Sequence, residues 1–104
     1  MPVDPQMQGV IERINNSGLP PFYSVSAHEA RRLYKEARAF LSPPAPGVEA
    51  VRDLAADGPA GPIPLRLYRG LGTVPGTPLP LLLYFHGGGW TIGDLDTHDI
   101  VCRT

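Results

Sequence analysis

Leu81-Leu82-Leu83-Tyr84-Phe85-His86-Gly87-Gly88-Gly89-Trp90 is the stretch on which the reading of this 104-residue chain turns. Its first five residues form a continuous apolar run, the pattern of a strand buried on both faces of a parallel sheet. The run empties directly into a histidine and three glycines. Without Cβ atoms, Gly87 to Gly89 are free to take φ > 0, and their N–H groups can point at a bound atom that side chains would otherwise screen.

Upstream, residues 1–42 are expected to be helical. Met7, Val10, Ile11 and Ile14 follow i, i+3, i+4, i+7 spacing, and Gly18 with Pro20-Pro21 stops that helix. Ser26-Ala27-His28-Glu29 has the Ser-x-x-Glu form of a capping box and opens a second helix. Ala30, Leu33, Tyr34, Ala37 and Phe40-Leu41 mark its apolar face. Arg31, Arg32, Lys35, Glu36 and Arg38 are expected on a solvated one. Ser42-Pro43-Pro44 ends it, because proline disfavours an α conformation in the preceding residue.

From Gly47 the period shortens. Val48 to Leu54 suits a strand with partial alternation, Ala55 to Pro62 a turn, and Ile63 to Arg69 a half-exposed antiparallel strand with Pro64 near its start or on an edge. Gly70 to Pro80 is a loop before the buried strand at 81–85. Beyond the glycines, Asp96-Thr97-His98-Asp99 starts a further helix, continued by Ile100-Val101-Cys102, with Thr104 about two turns in. Residues 1–45 therefore form a helical segment, and residues 46–104 open an α/β unit. A strand buried on both faces needs neighbours and covering helices that this stretch does not supply, so an incomplete α/β fold is expected.

Composition narrows the function classes. Nine basic against 10 acidic residues leave a net charge of −1, which offers no basic footprint for nucleic acid or an anionic membrane. No run approaches the ~18 apolar residues of a membrane span. Met1 to Gln8 lacks the build of a secretory signal. Cys102 is the single cysteine, which together with these features points to the cytoplasm. Twelve Gly and 13 Pro fall mostly between Pro43 and Pro80, where they read as turns between strands, not as low complexity.

The chemistry of the glycine run is anion binding. Backbone N–H donors aimed at the oxygen of a tetrahedral intermediate contribute ~10²–10³ in rate each. The alternative, that the glycines only make a tight turn, is weakened by the strand before them and by Trp90-Thr91-Ile92-Gly93-Asp94 after them. Asp94 and Asp96 are expected to fix the loop and cap the next helix. His98, Cys102 and Asp94 are too few and too unpatterned for a metal site, and neither a metal nor a cofactor is expected. Cys102 suits a core position better than a nucleophile's. Phe22, Tyr23, Leu33 and Phe40 could line an acyl pocket or simply pack between helices.

Taken together, Gly61 to Arg69, Pro80 to Phe85, His86-Gly87-Gly88-Gly89-Trp90, Gly93 to Asp99 and Cys102-Arg103 resemble the N-terminal part of the bacterial hormone-sensitive-lipase-like family of carboxylesterases and lipases, on the α/β-hydrolase fold. The resemblance runs along the whole chain but over only about the first third of the family's length. It implies that residues 1–45 belong to the cap over the active site. It further implies that Gly88 and Gly89 donate to the oxyanion, Gly87 shapes the turn, His86 orients the loop, and Trp90 walls the substrate pocket. His86 is not the family's catalytic histidine, which lies near the C-terminus.

The family's Gly-x-Ser-x-Gly elbow, acidic residue and late histidine have no counterpart here. Ser17, Ser24, Ser26 and Ser42 all lie in helical or linker segments, so no nucleophile with a base and an orienting third group can be assembled. The chain alone is expected to be inactive. The rest of the enzyme would be a second chain or further sequence, acting without cofactor on small esters of short to medium acyl chains, with a homo-oligomer open to the complete enzyme. The competing reading is a non-catalytic truncated product, an interaction module that pairs through its exposed sheet edge.

Overall fold

The computed structural model describes residues 1–104. Helix α1 spans Pro5–Asn15, where Asp4 caps it by accepting from the N–H groups of Gln6 and Met7, and Pro5 opens it. Gly18, at φ +73°, follows its end. A single 3₁₀ turn at Phe22–Ser24 leads to helix α2, Ala27–Leu41.

Half of the expected capping box is present in α2. Ser26 Oγ accepts from the Glu29 N–H at 3.2 Å, but the Glu29 carboxylate does not reach back. It is held by Arg32, which also binds Glu36. Charge pairing along the helix surface has displaced the second capping contact.

Ala30 and Leu33 are the buried apolar residues, and they lie on the expected face of α2. Phe22 meets Tyr34 edge-on, with ring centroids 6.1 Å apart. Towards the end of the helix the face is bare, and Phe40 is exposed.

Strands β1, Ala50–Ala56, and β2, Ile63–Arg69, form an antiparallel pair, with Val51 opposite Tyr68, Asp53 opposite Arg66, and Leu54 opposite Leu65. The alternation expected for β2 is present, but its faces are used in an unusual way. Arg66 and Tyr68 are partly covered, whereas Ile63, Leu65 and Leu67 lie open to solvent. The polar face is taken up by residues 96–103, and nothing in these 104 residues covers the apolar one.

The expected buried strand at Leu81–Phe85 is not formed. These residues make no backbone hydrogen bond, and Leu82 and Phe85 are each 87% exposed. A strand exists only through its neighbours, and β1 and β2 are hydrogen-bonded to each other instead. The next helix also starts later than expected. Helix α3 is Asp99–Arg103, with His98 in the N-cap position and no side-chain cap.

Only three residues are buried, Ala30, Leu33 and Thr97. The radius of gyration is 17.0 Å, against about 13 Å for a closed domain of this size. The helices, the β-pair and the short α3 thus form an open arrangement with little buried apolar surface.

Candidate functional site

Residues 88–91 form a tight turn in which the Gly88 carbonyl accepts from the N–H groups of Thr91 and Ile92 at 3.1 and 3.0 Å. Its two central residues are Gly89 at φ +58° and Trp90 at φ +56°, both left-handed. Trp90 is the one non-glycine residue of the chain in that region, at a cost of roughly 1–2 kcal/mol, and its indole is fully exposed. Gly88 itself sits at φ +141°, where a Cβ would collide with the Ile92 carbonyl. Neither Gly88 nor Gly89 spends its N–H on an acceptor within the chain.

His86 closes the loop on its inner side. Its Nδ1 lies 2.8 Å from the Gly87 carbonyl, and its ring stacks on His98 with centroids 4.9 Å apart. Together with Arg31 and residues 87–93, it lines an open cleft of about 360 Å³.

The loop is held from α2. Arg31 Nε donates to the Thr91 carbonyl at 2.7 Å, Lys35 binds Asp94 and Asp96 at 3.2 and 2.6 Å, and Arg38 Nε donates to the Thr97 carbonyl at 3.3 Å. At i, i+4 and i+7, these three form a single basic stripe along one helical face. Arg31, Arg32, Lys35 and Glu36 stay exposed as expected, but Arg31 and Lys35, with the half-buried Arg38, also grip the segment after the glycines. The spacing was present in the sequence, but nothing in it announced the partner.

From the other side, the β1–β2 pair holds the same segment. Arg66, 16% exposed, spans Asp53, Asp96 and Asp99, while Tyr68 Oη donates to Asp99 at 2.7 Å and Arg103 Nε does so at 2.6 Å. Asp99 is pushed up by burial, but the hydrogen bonds from Tyr68 and Arg103 outweigh this and keep its carboxyl below the usual range. Lys35 and Arg66 do the same for Asp96. Burial, reinforced by the bond to Asp99, raises the Tyr68 phenol to about 12.

Asp94 and Thr97 lock the intervening turn reciprocally. The Thr97 N–H donates to Asp94 Oδ1, and the Asp94 N–H to Thr97 Oγ1, both at 2.8 Å. Asp94 and Asp96 thus fix the loop as expected, but neither side chain caps α3.

Thr97 Oγ1 also lies 3.0 Å from His98 Nδ1, which superficially suggests a hydroxyl–imidazole–carboxylate array. Thr97 is 6% exposed and its hydroxyl is engaged with Asp94, and Asp94 binds the threonine, not the histidine. The arrangement locks a turn and presents no nucleophile. Three of the four serines are likewise engaged: Ser17 and Ser24 hydroxyls donate to Ile14 and Pro21 carbonyls, and Ser26 caps α2. His98, Cys102 and Asp94 do not converge on a point where a metal could sit. Burial and the Asp99 charge raise the Cys102 thiol, which disfavours its reactive form.

No protein-family profile matches the chain. Its similarity to individual proteins is clear. Over 53 residues it is 60% identical to the carboxylic ester hydrolase LipN of Mycobacterium tuberculosis, covering 51% of this chain and 13% of that protein. Over 83 residues it is 37% identical to the ethyl acetate hydrolase of Pseudomonas putida, covering 79% of this chain and 26% of that one.

Among solved structures, an ester hydrolase from the metagenome of Lake Arreo superposes with a TM-score of 0.81 at 32% identity, over 94% of this chain and 31% of the other. The esterase of Pyrobaculum calidifontis does so at 0.79 and 27%, over 99% and 32%. In each case the chain spans less than a third of its relative's length. The glycine loop, the β-pair beside it and these likenesses converge: the chain is similar to carboxylic ester hydrolases on the α/β-hydrolase fold and matches part of their length.

Proposed function

We propose that residues 1–104 supply the oxyanion-binding loop, and part of the cap, of a serine carboxylesterase that hydrolyses esters of short to medium acyl chains without a metal or cofactor. In this reading Gly88 and Gly89 are the donors, Gly87 and His86 shape and orient the loop, and Trp90 walls the substrate pocket. Residues 1–45 belong to the cap and residues 46–104 to the hydrolase core. The nucleophile, acid and catalytic histidine come from sequence outside residues 1–104, and these residues alone do not turn over ester. The cytoplasm is the proposed location, and no helix of the chain is long and apolar enough to cross a membrane.

The observation that carries the reading is a pair of N–H groups left without acceptors in a turn that glycine at 88 makes possible. Donors already in place need no reorganisation when charge develops on the carbonyl oxygen, which is where such loops accelerate acyl transfer. The test is ester hydrolysis by the complete protein with Gly89→Ala and Gly89→Pro. Nothing lies within 4 Å of a Cβ at position 89, so alanine retains the N–H at the cost of a strained φ, whereas proline removes the donor and, with φ fixed at about −65°, the left-handed turn that aims it. Proline should lower kcat by ~10² or more and alanine by much less. Full activity in a folded Gly89→Pro variant would remove the donor role.

One observation favours a second reading, a non-catalytic interaction module. Leu81 to Phe85 and the apolar face of β2 are exposed together and would pair with another chain if nothing further covered them. Intact mass and co-purification separate the two readings: a polypeptide bearing a serine elbow supports the enzyme, and a lone 11.2 kDa species without activity supports the module.

A further inference from the structure

Arg31 is the one permanently charged group lining the cleft around the glycine loop, and no Asp or Glu lines that cleft. The carboxylates nearest in sequence face elsewhere: Asp94 and Asp96 are bound by Lys35, and Asp99 by Arg66 and Arg103. Arg31 itself has no carboxylate partner in the chain. Its Nε is committed to the Thr91 carbonyl at 2.7 Å, and its two terminal nitrogens make no hydrogen bond. An arginine anchored through Nε presents the rest of its guanidinium as a held, planar pair of donors that matches a carboxylate.

We infer that Arg31 is a specificity-determining residue, and that the site prefers esters carrying a free carboxylate, such as monoesters of short dicarboxylic acids. The ester carbonyl lies on the Gly88–Gly89 turn, and the carboxylate of the same molecule lies on the guanidinium. This deepens the esterase reading and rests on it. A cation in a cleft without acids raises the local concentration of an anionic substrate and leaves a neutral one unaffected. The same residue that anchors the loop thereby selects what the loop receives.

The complete protein should be assayed with two esters of matched length, 4-nitrophenyl butyrate and mono-4-nitrophenyl succinate. Wild type should favour the succinate ester, and raising NaCl from about 0.05 to about 0.5 M should narrow that preference, because the Debye length falls with salt. Arg31→Gln, whose side-chain amide nitrogen can take the place of Nε toward the Thr91 carbonyl, should lower the succinate-to-butyrate ratio of kcat/KM about tenfold, mainly through KM for the succinate ester, with Arg31→Lys recovering part of that ratio. An equal fall for both esters would reduce Arg31 to a loop anchor acting through Thr91 and overturn the inference. So would a preference that neither salt nor substitution changes. The salt series on unmodified protein keeps the test decisive if Arg31→Gln fails to fold. Hydrolysis of neither ester by wild type would instead remove the esterase reading itself, and this inference with it.

Discussion

His86 Nδ1 stands 2.8 Å from the point where a Cβ on Gly93 would be, and the Gly87 carbonyl stands 3.0 Å from it. The two ends of the glycine loop are therefore in contact through a position that only glycine fills, at φ +98°. Gly93→Ala has neither the space nor the backbone conformation, and it should destabilise the complete protein by about 1–3 kcal/mol. Because part of the obstruction is backbone, His86→Ala should not rescue it. Denaturant midpoints of the single and double variants check both expectations.

Trp90 carries a left-handed backbone without glycine's freedom, and its side chain touches nothing that would repay the strain. Trp90→Gly should raise stability by about 1 kcal/mol, whereas Trp90→Ala, which keeps the Cβ, should not. If the indole walls the pocket, both variants should raise KM. A stability gain in glycine alone, with a KM increase in both, is the expected pattern.

Arg66 is the hub of the polar frame, 16% exposed and bonded to three carboxylates on two segments. Arg66→Met should cost about 1–3 kcal/mol, because it leaves Asp99 partly buried with one fewer partner. Lys35→Met, whose ion pairs are half-exposed, should cost under about 1 kcal/mol. Thermal melts of the two variants measure the contrast.

The frame should also be sensitive to acid. Asp94, Asp96 and Asp99 have carboxyls depressed below their ordinary range, so the folded form binds protons less readily than the unfolded one. Their contribution is full above the unfolded pKa of about 4 and is lost as pH falls through the lower folded values. Stability should therefore decline below about pH 4, and Asp96→Asn should flatten the decline. At the other extreme, burial holds the Tyr68 phenol to about 12. Its phenolate absorbance should appear near that pH and vanish in Tyr68→Phe, while the stability it adds persists below the unfolded value of about 10 and fades as pH rises through 12.

Local signals survived the passage from sequence to structure. The i, i+3, i+4 spacing in residues 7–14, the serine cap at position 26 and the alternation in residues 63–69 each appear as an element, because each depends on contacts within a few residues. Leu81 to Phe85 did not become a strand, since an apolar run specifies burial but not a hydrogen-bonding partner, and the segment makes no backbone hydrogen bond. Composition could not reveal that Asp96 would face Lys35 and Arg66 across 61 and 30 residues instead of capping α3. The glycines were legible as a loop, but the left-handed Trp90 was not. A residue type that avoids φ > 0 gives no warning when the surrounding turn imposes it.

The stripe Arg31–Lys35–Arg38 makes α2 a ruler. Each contact is read at a fixed angle around the helix, so losing any one by substitution leaves the other two in register. Inserting or deleting one residue between Arg31 and Arg38 turns the following side chains by about 100° and withdraws them together. The loop is thus tolerant of changes in spelling along this helix and intolerant of changes in its count.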